Sequence, residues 1–190
     1  ERWQDRPVHS EAVPLQPADR AILAIESETI AGHTCKVIRL GEGAPTLDQL
    51  RGLVDLRLSG VPELGWRLGG SDGEPAWVPW EGFDVERRVR PIDSDRPLRE
   101  DEIPAEVARL FAERLDRERP LWQIHHAPLE DGGAVLIWRI HHALADGTAC
   151  IRFAHALLWD DDSAEAPRGE PDHAAAAAHP DHARRRAHLA

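Results

Sequence analysis

Residues 134–147 form one continuous block, which reads Ala134-Val135-Leu136-Ile137-Trp138-Arg139-Ile140-His141-His142-Ala143-Leu144-Ala145-Asp146-Gly147. The first half of this block is almost entirely apolar, and a short apolar run of this kind is typical of a strand buried in the centre of a sheet. A helix is predicted after Gly147, with Ile151, Leu157 and Leu158 as its apolar positions. The block therefore predicts a strand that passes directly into a histidine pair and then into a helix.

The histidine pair is a candidate for acid–base chemistry. Successive side chains of a strand point to opposite sides, so we expect one of His141 and His142 to face a reaction cavity and the other the scaffold. Histidine suits a general base because its ordinary pKa lies near about 6.5. We expect Asp146 to brace the loop through a hydrogen bond or an arginine pair. Gly147 is expected to allow a backbone conformation, or a close approach, that a side chain would block.

A structural role and a metal-binding role are the alternatives to catalysis for these histidines. A histidine pair at a strand end is more often structural than catalytic. A metal site is not expected, because adjacent strand positions diverge and no cluster of Cys or Glu completes a ligand set. A second pair, His125-His126, precedes Asp131-Gly132 with one residue too many and leads into a hairpin turn. We interpret that second pair as structural.

The patterns before this block predict alternating helices and strands. The first expected elements are a short helix after residues 15–19 with Ala21, Ile22 and Ile25 as its apolar positions, and a strand over 35–40. Next come a helix capped by Thr46 with Leu47, Leu50, Leu53, Val54 and Leu58 on one face, and short strands or ordered loops over 66–83. The last are a helix from Arg99 to Arg117 with Val107, Leu110, Phe111 and Leu115 buried, and a strand over 120–127. Trp66 and Trp77 are interpreted as packing residues and not as ligand-stacking residues.

Composition narrows the class of protein. The 190 residues are 42% hydrophobic and 30% charged, as in a globular chain that can bury a core. A formal net charge of −11 argues against binding to nucleic acid. Cys35 and Cys150 are too few for a disulfide framework and favour a reducing cytoplasm. No apolar run approaches the roughly 20 residues that span a bilayer, so we expect a protein that is soluble or at most peripheral to a membrane.

Changes in composition also predict the domain organisation. Residues 1–14 form a polar lead-in, and the periodic patterns fill residues 15–159. Residues 160–180 have no hydrophobic period and are expected to be a flexible linker, whereas residues 181–190 are expected to begin another helix or to be disordered. Methionine is absent even at position 1, so we expect a piece of a longer protein.

These residues resemble the bacterial wax ester synthase/diacylglycerol acyltransferase family. His141–Gly147 matches the active-site motif of that family, and Arg119-Pro120-Leu121-Trp122 matches its Arg-Pro-Leu-Trp run. Residues 15–19, with departures at Gln16 and Ala18, are similar to its opening Leu-Ser-Pro-Leu-Asp segment. The family lies in the chloramphenicol-acetyltransferase-like group, which also includes the condensation domains of peptide synthetases.

The resemblance implies an α/β fold: a chloramphenicol-acetyltransferase-like sandwich half with a mixed sheet and packed helices. This chain would be the N-terminal half, with a tunnel between it and a C-terminal half in the same or a separate chain. By the resemblance, His142 is the general base, Asp146 is architectural, and His141 and Gly147 shape the turn. Residues Pro120, Leu121 and Trp122 would support the structure near the site.

The implied reaction transfers a fatty acyl group from acyl-CoA, as co-substrate, to a long-chain alcohol or diacylglycerol. The product is a wax ester or triacylglycerol, and no covalent enzyme intermediate, metal or redox cofactor is expected. The expected location is cytoplasmic, with peripheral contact to the inner membrane or to lipid droplets as an option. Two alternatives remain: a condensation-type enzyme that uses carrier-protein thioesters, and a non-catalytic half-domain that needs a partner chain.

Overall fold

The computed structural model describes residues 12–71 and 73–159 of the chain. Within these ranges lie helices α1 (Pro17–Ile25), α2 (Leu47–Arg57), α3 (Val85–Arg88), α4 (Ile103–Ala112) and α5 (Gly147–Leu158), and strands β1 (Val13–Pro14), β2 (His33–Leu40), β3 (Trp66–Ser71), β4 (Glu74–Pro79), β5 (Val89–Pro91), β6 (Trp122–Pro128) and β7 (Ala134–His141). The expected linker over 160–180, the segment 181–190 and most of the expected lead-in lie outside the described residues.

Strand β7 lies inside the larger sheet, whose strand order is β2-β7-β6-β5. Every residue of β7 is buried, as its apolar sequence predicts. The β2–β7 and β6–β7 pairs are antiparallel and the β5–β6 pair is parallel, so the predicted mixed sheet is confirmed. The predicted hairpin turn between β6 and β7 is present, and Gly132 adopts there a φ of 83° that favours glycine.

A smaller antiparallel sheet has the order β1-β4-β3. Its strands β3 and β4 confirm the short strands expected within 66–83. Trp77 on β4 is buried in an apolar cluster with Leu15, Leu115 and Leu121, as expected of a packing residue. The expectation of an irregular lead-in is wrong at Val13–Pro14, which form β1 and pair with β4.

Helices cover both faces of the larger sheet because residues of each strand alternate between two apolar cores. One face places Trp122, Leu136, Trp138 and Ile140 against buried residues of α2 and α5. The other places residues of β6 and β7 against Ile103 and Leu110 of α4. Helix α2 begins where predicted, because the Thr46 side chain accepts a hydrogen bond from Gln49 N and the Gln49 side chain accepts one from Thr46 N.

Two helix predictions need correction. The helix expected over 99–117 is shorter: a 3₁₀ turn covers Glu100–Glu102 and α4 ends at Ala112. Phe111 is 44% exposed instead of buried, and its ring lies 5.1 Å from the ring of His33. In α5, Ile151 is 64% exposed, and Cys150, Phe153 and Leu157 form the buried stripe.

Among the residues that the structure describes, no helix has the length and apolar character that a membrane span requires.

Candidate functional site

The histidine pair lies at the carboxyl end of β7, the central strand. His141 is the last residue of β7 and pairs with His33, the first residue of β2. His141 is fully buried, whereas the next residue, His142, is exposed. The two side chains therefore occupy opposite environments, as strand alternation predicts. His142 is therefore the solvent-exposed member of the pair.

Backbone hydrogen bonds hold the pair from two sides. His141 N donates to Leu121 O at 3.0 Å, and His142 N donates to Gly32 O at 2.9 Å. The turn that follows closes on His141, whose carbonyl oxygen accepts from Leu144 N at 3.0 Å and from Ala145 N at 3.1 Å. The peptide that carries His142 is thus fixed between the start of β2 and the residue before β6.

The ring of His141 has a defined tautomer. Its Nδ1 accepts a hydrogen bond from Ala143 N at 3.1 Å, and a backbone N–H can only donate. In the neutral ring the proton therefore lies on Nε2, which is 3.7 Å from Glu26 Oε1. Burial lowers the pKa of His141, although the charge of Glu26 opposes that shift. His141 is therefore neutral near pH 7.

Glu26, directly after α1, is a buried carboxylate that no sequence pattern indicated. Its side chain is only 1% exposed, and Oε2 accepts from Arg117 at 2.5 and 2.8 Å. Oε1 accepts from Gly32 N at 3.3 Å. Burial raises the pKa of Glu26, but the hydrogen bond from Arg117 and the charge of that guanidinium act against burial, and the net pKa is lowered. Glu26 is therefore an anion beside the neutral ring of His141.

Asp146 and Gly147 lie where α5 begins. The Asp146 carboxylate accepts from Ala149 N at 2.8 Å and caps the helix, so it braces the loop by a hydrogen bond and not by an arginine pair. Within the described chain, Gly147 shows neither a special backbone conformation nor a close approach. It is the first residue of α5, its φ is not positive, and a Cβ built there meets nothing within 4 Å. The close approach that needs glycine occurs instead at Gly32, where a Cβ would overlap the ring of His141.

Pro120, Leu121 and Trp122 support the pair from the neighbouring strand. Leu121 O accepts from His141 N, and the Trp122 indole N–H donates to Leu64 O at 2.6 Å. Arg88, a buried residue that the sequence patterns did not single out, donates to Pro120 O at 2.7 Å and to Trp122 O at 3.1 Å. Burial lowers the pKa of Arg88 to about 10, so it keeps its charge near neutral pH.

The second histidine pair lies inside β6, away from solvent. His125 faces Arg139, which donates to Leu110 O at 2.6 Å and to Glu113 O at 2.7 Å and so ends α4. Burial, aided by the charge of Arg139, lowers the pKa of His125 to about 3. His126 Nε2 forms a 2.9 Å hydrogen bond with Pro45 O. Both side chains are engaged in the fold, in agreement with a structural role.

The described residues show no arrangement for a metal ion. Across 12–71 and 73–159, no group of three or more His, Cys, Asp or Glu side chains is placed to hold one.

An open groove of about 460 Å³ lies at the hairpin end of the sheet, lined among others by Pro45, Leu47, Ile92, His126 and Leu129. The groove lies at the Ala134 end of β7, whereas His142 follows the opposite end of that strand. The groove is therefore not part of the candidate site.

Comparisons with known proteins show similarity to one family. The family model for the wax ester synthase/diacylglycerol acyltransferase catalytic domain matches residues 15–190. The probable diacylglycerol O-acyltransferase tgs1 of Mycobacterium tuberculosis is 41% identical over 86 residues, which are 45% of this chain and 19% of that protein. The probable diacylglycerol O-acyltransferase tgs2 of the same organism is 34% identical over 100 residues, 52% of this chain and 22% of that protein.

Solved structures agree with the fold. The wax ester synthase/diacylglycerol acyltransferase from Marinobacter aquaeolei VT8 superimposes with a TM-score of 0.62 at 30% identity, over 75% of this chain and 36% of that chain. The first condensation domain of the calcium-dependent antibiotic synthetase gives a TM-score of 0.61 at 20% identity, over 78% of this chain and 36% of that chain, which shows a shared fold alone. The matched part spans about a fifth of the curated relatives and about a third of these structures.

Proposed function

Since this chain belongs to the wax ester synthase/diacylglycerol acyltransferase family, we propose that the full-length protein is an acyl-CoA-dependent O-acyltransferase with His142 as its general base. The acceptor is a long-chain alcohol or diacylglycerol, and the product is a wax ester or triacylglycerol. One observation carries the assignment of the base: His142 is exposed at the end of a buried strand, on a peptide that Gly32 O holds in place.

The chemistry follows from an unprotonated imidazole beside a hydroxyl. His142 removes the hydroxyl proton as the acceptor oxygen attacks the carbonyl carbon of the thioester. The tetrahedral oxyanion then collapses, the C–S bond breaks, and the imidazolium gives the hydroxyl proton to the leaving CoA thiolate. Atoms and charges balance with one histidine, so the reaction needs no covalent enzyme intermediate and no metal or redox cofactor.

The neighbouring residues act on this base through the backbone. Asp146 caps α5 and is architectural, while His141 and Ala143 shape the turn after the strand. The Pro120-Leu121-Trp122 run supports the site, since Leu121 O holds His141 N. The reaction rate depends on holding the base in a fixed position, because a misplacement of about 1 Å can lower the rate roughly 100-fold.

We further propose that a C-terminal half of the same enzyme lines the other side of the site. The exposed His142 supports this, because catalysis of this kind works best in a site that excludes water. Acyl-CoA and the acceptor would meet between the halves. Lipid acceptors favour a cytoplasmic protein in peripheral contact with the inner membrane or lipid droplets.

The test measures the products that the full-length protein forms from a mixed panel of acyl-CoAs, long-chain alcohols and diacylglycerol, by mass spectrometry. An acyl-carrier-protein thioester is offered as a competing donor in a separate arm. We expect esters from acyl-CoA, and a loss of most turnover in His142→Ala with an unchanged unfolding midpoint. His126→Ala, which alters a histidine bonded to Pro45 O, is the matched control.

Each result bears on one part of the proposal. Ester formation from the carrier-protein thioester alone would favour the condensation-type alternative. Equal losses in His142→Ala and His126→Ala would refute the assignment of the base. Absence of ester from every donor would refute the proposed activity and favour the non-catalytic alternative.

A further inference from the structure

The buried carboxylate of Glu26 has no part in the chemistry proposed above, yet it lies beside the histidine pair. Burying a charge is costly unless it is paired. Glu26 accepts hydrogen bonds from the Arg117 guanidinium and from Gly32 N, and its Oε1 lies 3.7 Å from the Nε2–H of His141, which has no hydrogen-bond partner among the described residues. Its two oxygens face all three, and only a carboxylate accepts on both sides.

Two routes lead from Glu26 to His142. In the first, Glu26 faces Nε2 of His141, and the opposite nitrogen of that ring accepts from Ala143 N in the turn after His142. In the second, Glu26 accepts from Gly32 N, and Gly32 O accepts from His142 N. Both sides of the His142 peptide therefore depend on one buried anion.

We propose that Glu26 is a positioning residue for His142, acting through His141 and Gly32; this rests on the proposed role of His142 as the base. The negative charge attracts the proton of His141 to Nε2, which leaves Nδ1 free to accept from Ala143 N. Arg117 holds the carboxylate in place, and its NH2 group also donates to Leu23 O at 2.7 Å, which ties the pair to α1.

A glutamine at this position separates charge from packing. Glu26→Gln keeps the shape of the side chain but has one oxygen for three donors. If the amide oxygen takes the Oε2 position, where two donors of Arg117 hold it, the amide NH₂ takes the Oε1 position and meets both Gly32 N–H and the Nε2–H of His141. The ring must then turn, or move its proton to Nδ1, where Ala143 N–H already points. A role limited to packing would survive this substitution.

Glu102 offers a matched control. Its carboxylate also binds one arginine through two bonds, from Arg96 at 2.6 and 3.0 Å, and accepts from one backbone N–H, that of Arg99, at 2.9 Å. It precedes α4 and has no contact with the histidine pair among the described bonds. Glu102→Gln therefore removes the same kind of ion pair elsewhere.

The experiment measures kcat and KM for acyl-CoA in full-length wild type, Glu26→Gln and Glu102→Gln, together with ¹⁵N chemical shifts of labelled histidine rings. In Glu26→Gln we expect kcat to fall by about 10–100-fold with KM nearly unchanged. The His141 ring should be an Nε2–H tautomer in the wild type and lose that pure form in the variant. Glu102→Gln should stay close to wild type in both respects.

Several outcomes would overturn the proposal: a wild-type kcat in Glu26→Gln, an equal loss in Glu102→Gln, a loss confined to KM, or an Nδ1–H tautomer of His141 in the wild type. The last measurement needs no variant, so an Nδ1–H tautomer would overturn the proposal even if Glu26→Gln failed to fold. It also needs no turnover. Failure of the proposed function would appear separately, as absent ester synthesis by the wild type.

Discussion

Replacing Gly32 by alanine tests the contact on which the candidate site depends. A Cβ built there would overlap Nε2 of His141 and lie 2.8 Å from Cε1 and 3.2 Å from Cδ2 of the same ring. The ring is fully buried, and its Nδ1 is bonded to Ala143 N, so it cannot retreat without breaking that bond. Overpacking costs about 1–3 kcal/mol and the lost hydrogen bond about 1 kcal/mol, so we expect a loss of about 2–4 kcal/mol in the free energy of unfolding.

The assay is chemical denaturation of the full-length protein, followed by circular dichroism, with Gly52→Ala as the matched control. Gly52 lies exposed within α2, and a Cβ there meets nothing within 4 Å. The same substitution should stabilise that helix by up to about 1 kcal/mol, because alanine favours helix more than glycine does. The two alanine variants should therefore move in opposite directions. A Gly32→Ala variant as stable as wild type would refute the close packing of Gly32 on His141.

Two further predictions concern the helix cap and the buried histidines. Asp146→Ala should lower the stability by about 1 kcal/mol, whereas Asp146→Asn, which keeps a capping oxygen, should lose less; thermal unfolding of both variants checks this, and a greater loss in Asn would contradict a capping role. Burial lowers the pKa of His125 to about 3 and of His33 to about 4, well below the ordinary value. The unfolded chain then binds more protons than the folded one between about pH 6.5 and 4, so stability should fall as the pH is lowered through that window. His125→Gln should flatten this fall in denaturation midpoints measured at about pH 7 and about pH 4.5, and an unchanged slope would show that His125 is already protonated in the folded protein.

Much of the fold was predictable because its signals are local. The apolar run of β7, the Asp131-Gly132 turn and the Thr46 cap each depend on a few neighbouring residues, and each is present in the structure. The opposite environments of His141 and His142 follow from strand geometry alone. Local patterns were less reliable for helix faces, since Ile151 matches a helical period and yet is exposed.

The parts that sequence did not reveal depend on contacts between distant segments. Nothing around Glu26 or Gly32 indicates that they meet His141. The contact depends on the pairing of β2 with β7, two strands that lie far apart in the sequence. In the sequence, Arg139 interrupts an otherwise apolar strand. In the structure its guanidinium donates hydrogen bonds to backbone carbonyl oxygens at the end of α4.

The register between β2 and β7 has a consequence for how the protein matures. His33 and His141 are paired although 108 positions separate them along the chain. Closing so long a loop is slow compared with forming the local β6–β7 hairpin, which needs only a tight turn. The carbonyl that anchors His142 belongs to the residue just before β2. A chain in which β6 and β7 have paired but β2 has not yet docked therefore has the complete motif but lacks the anchor of its proposed base.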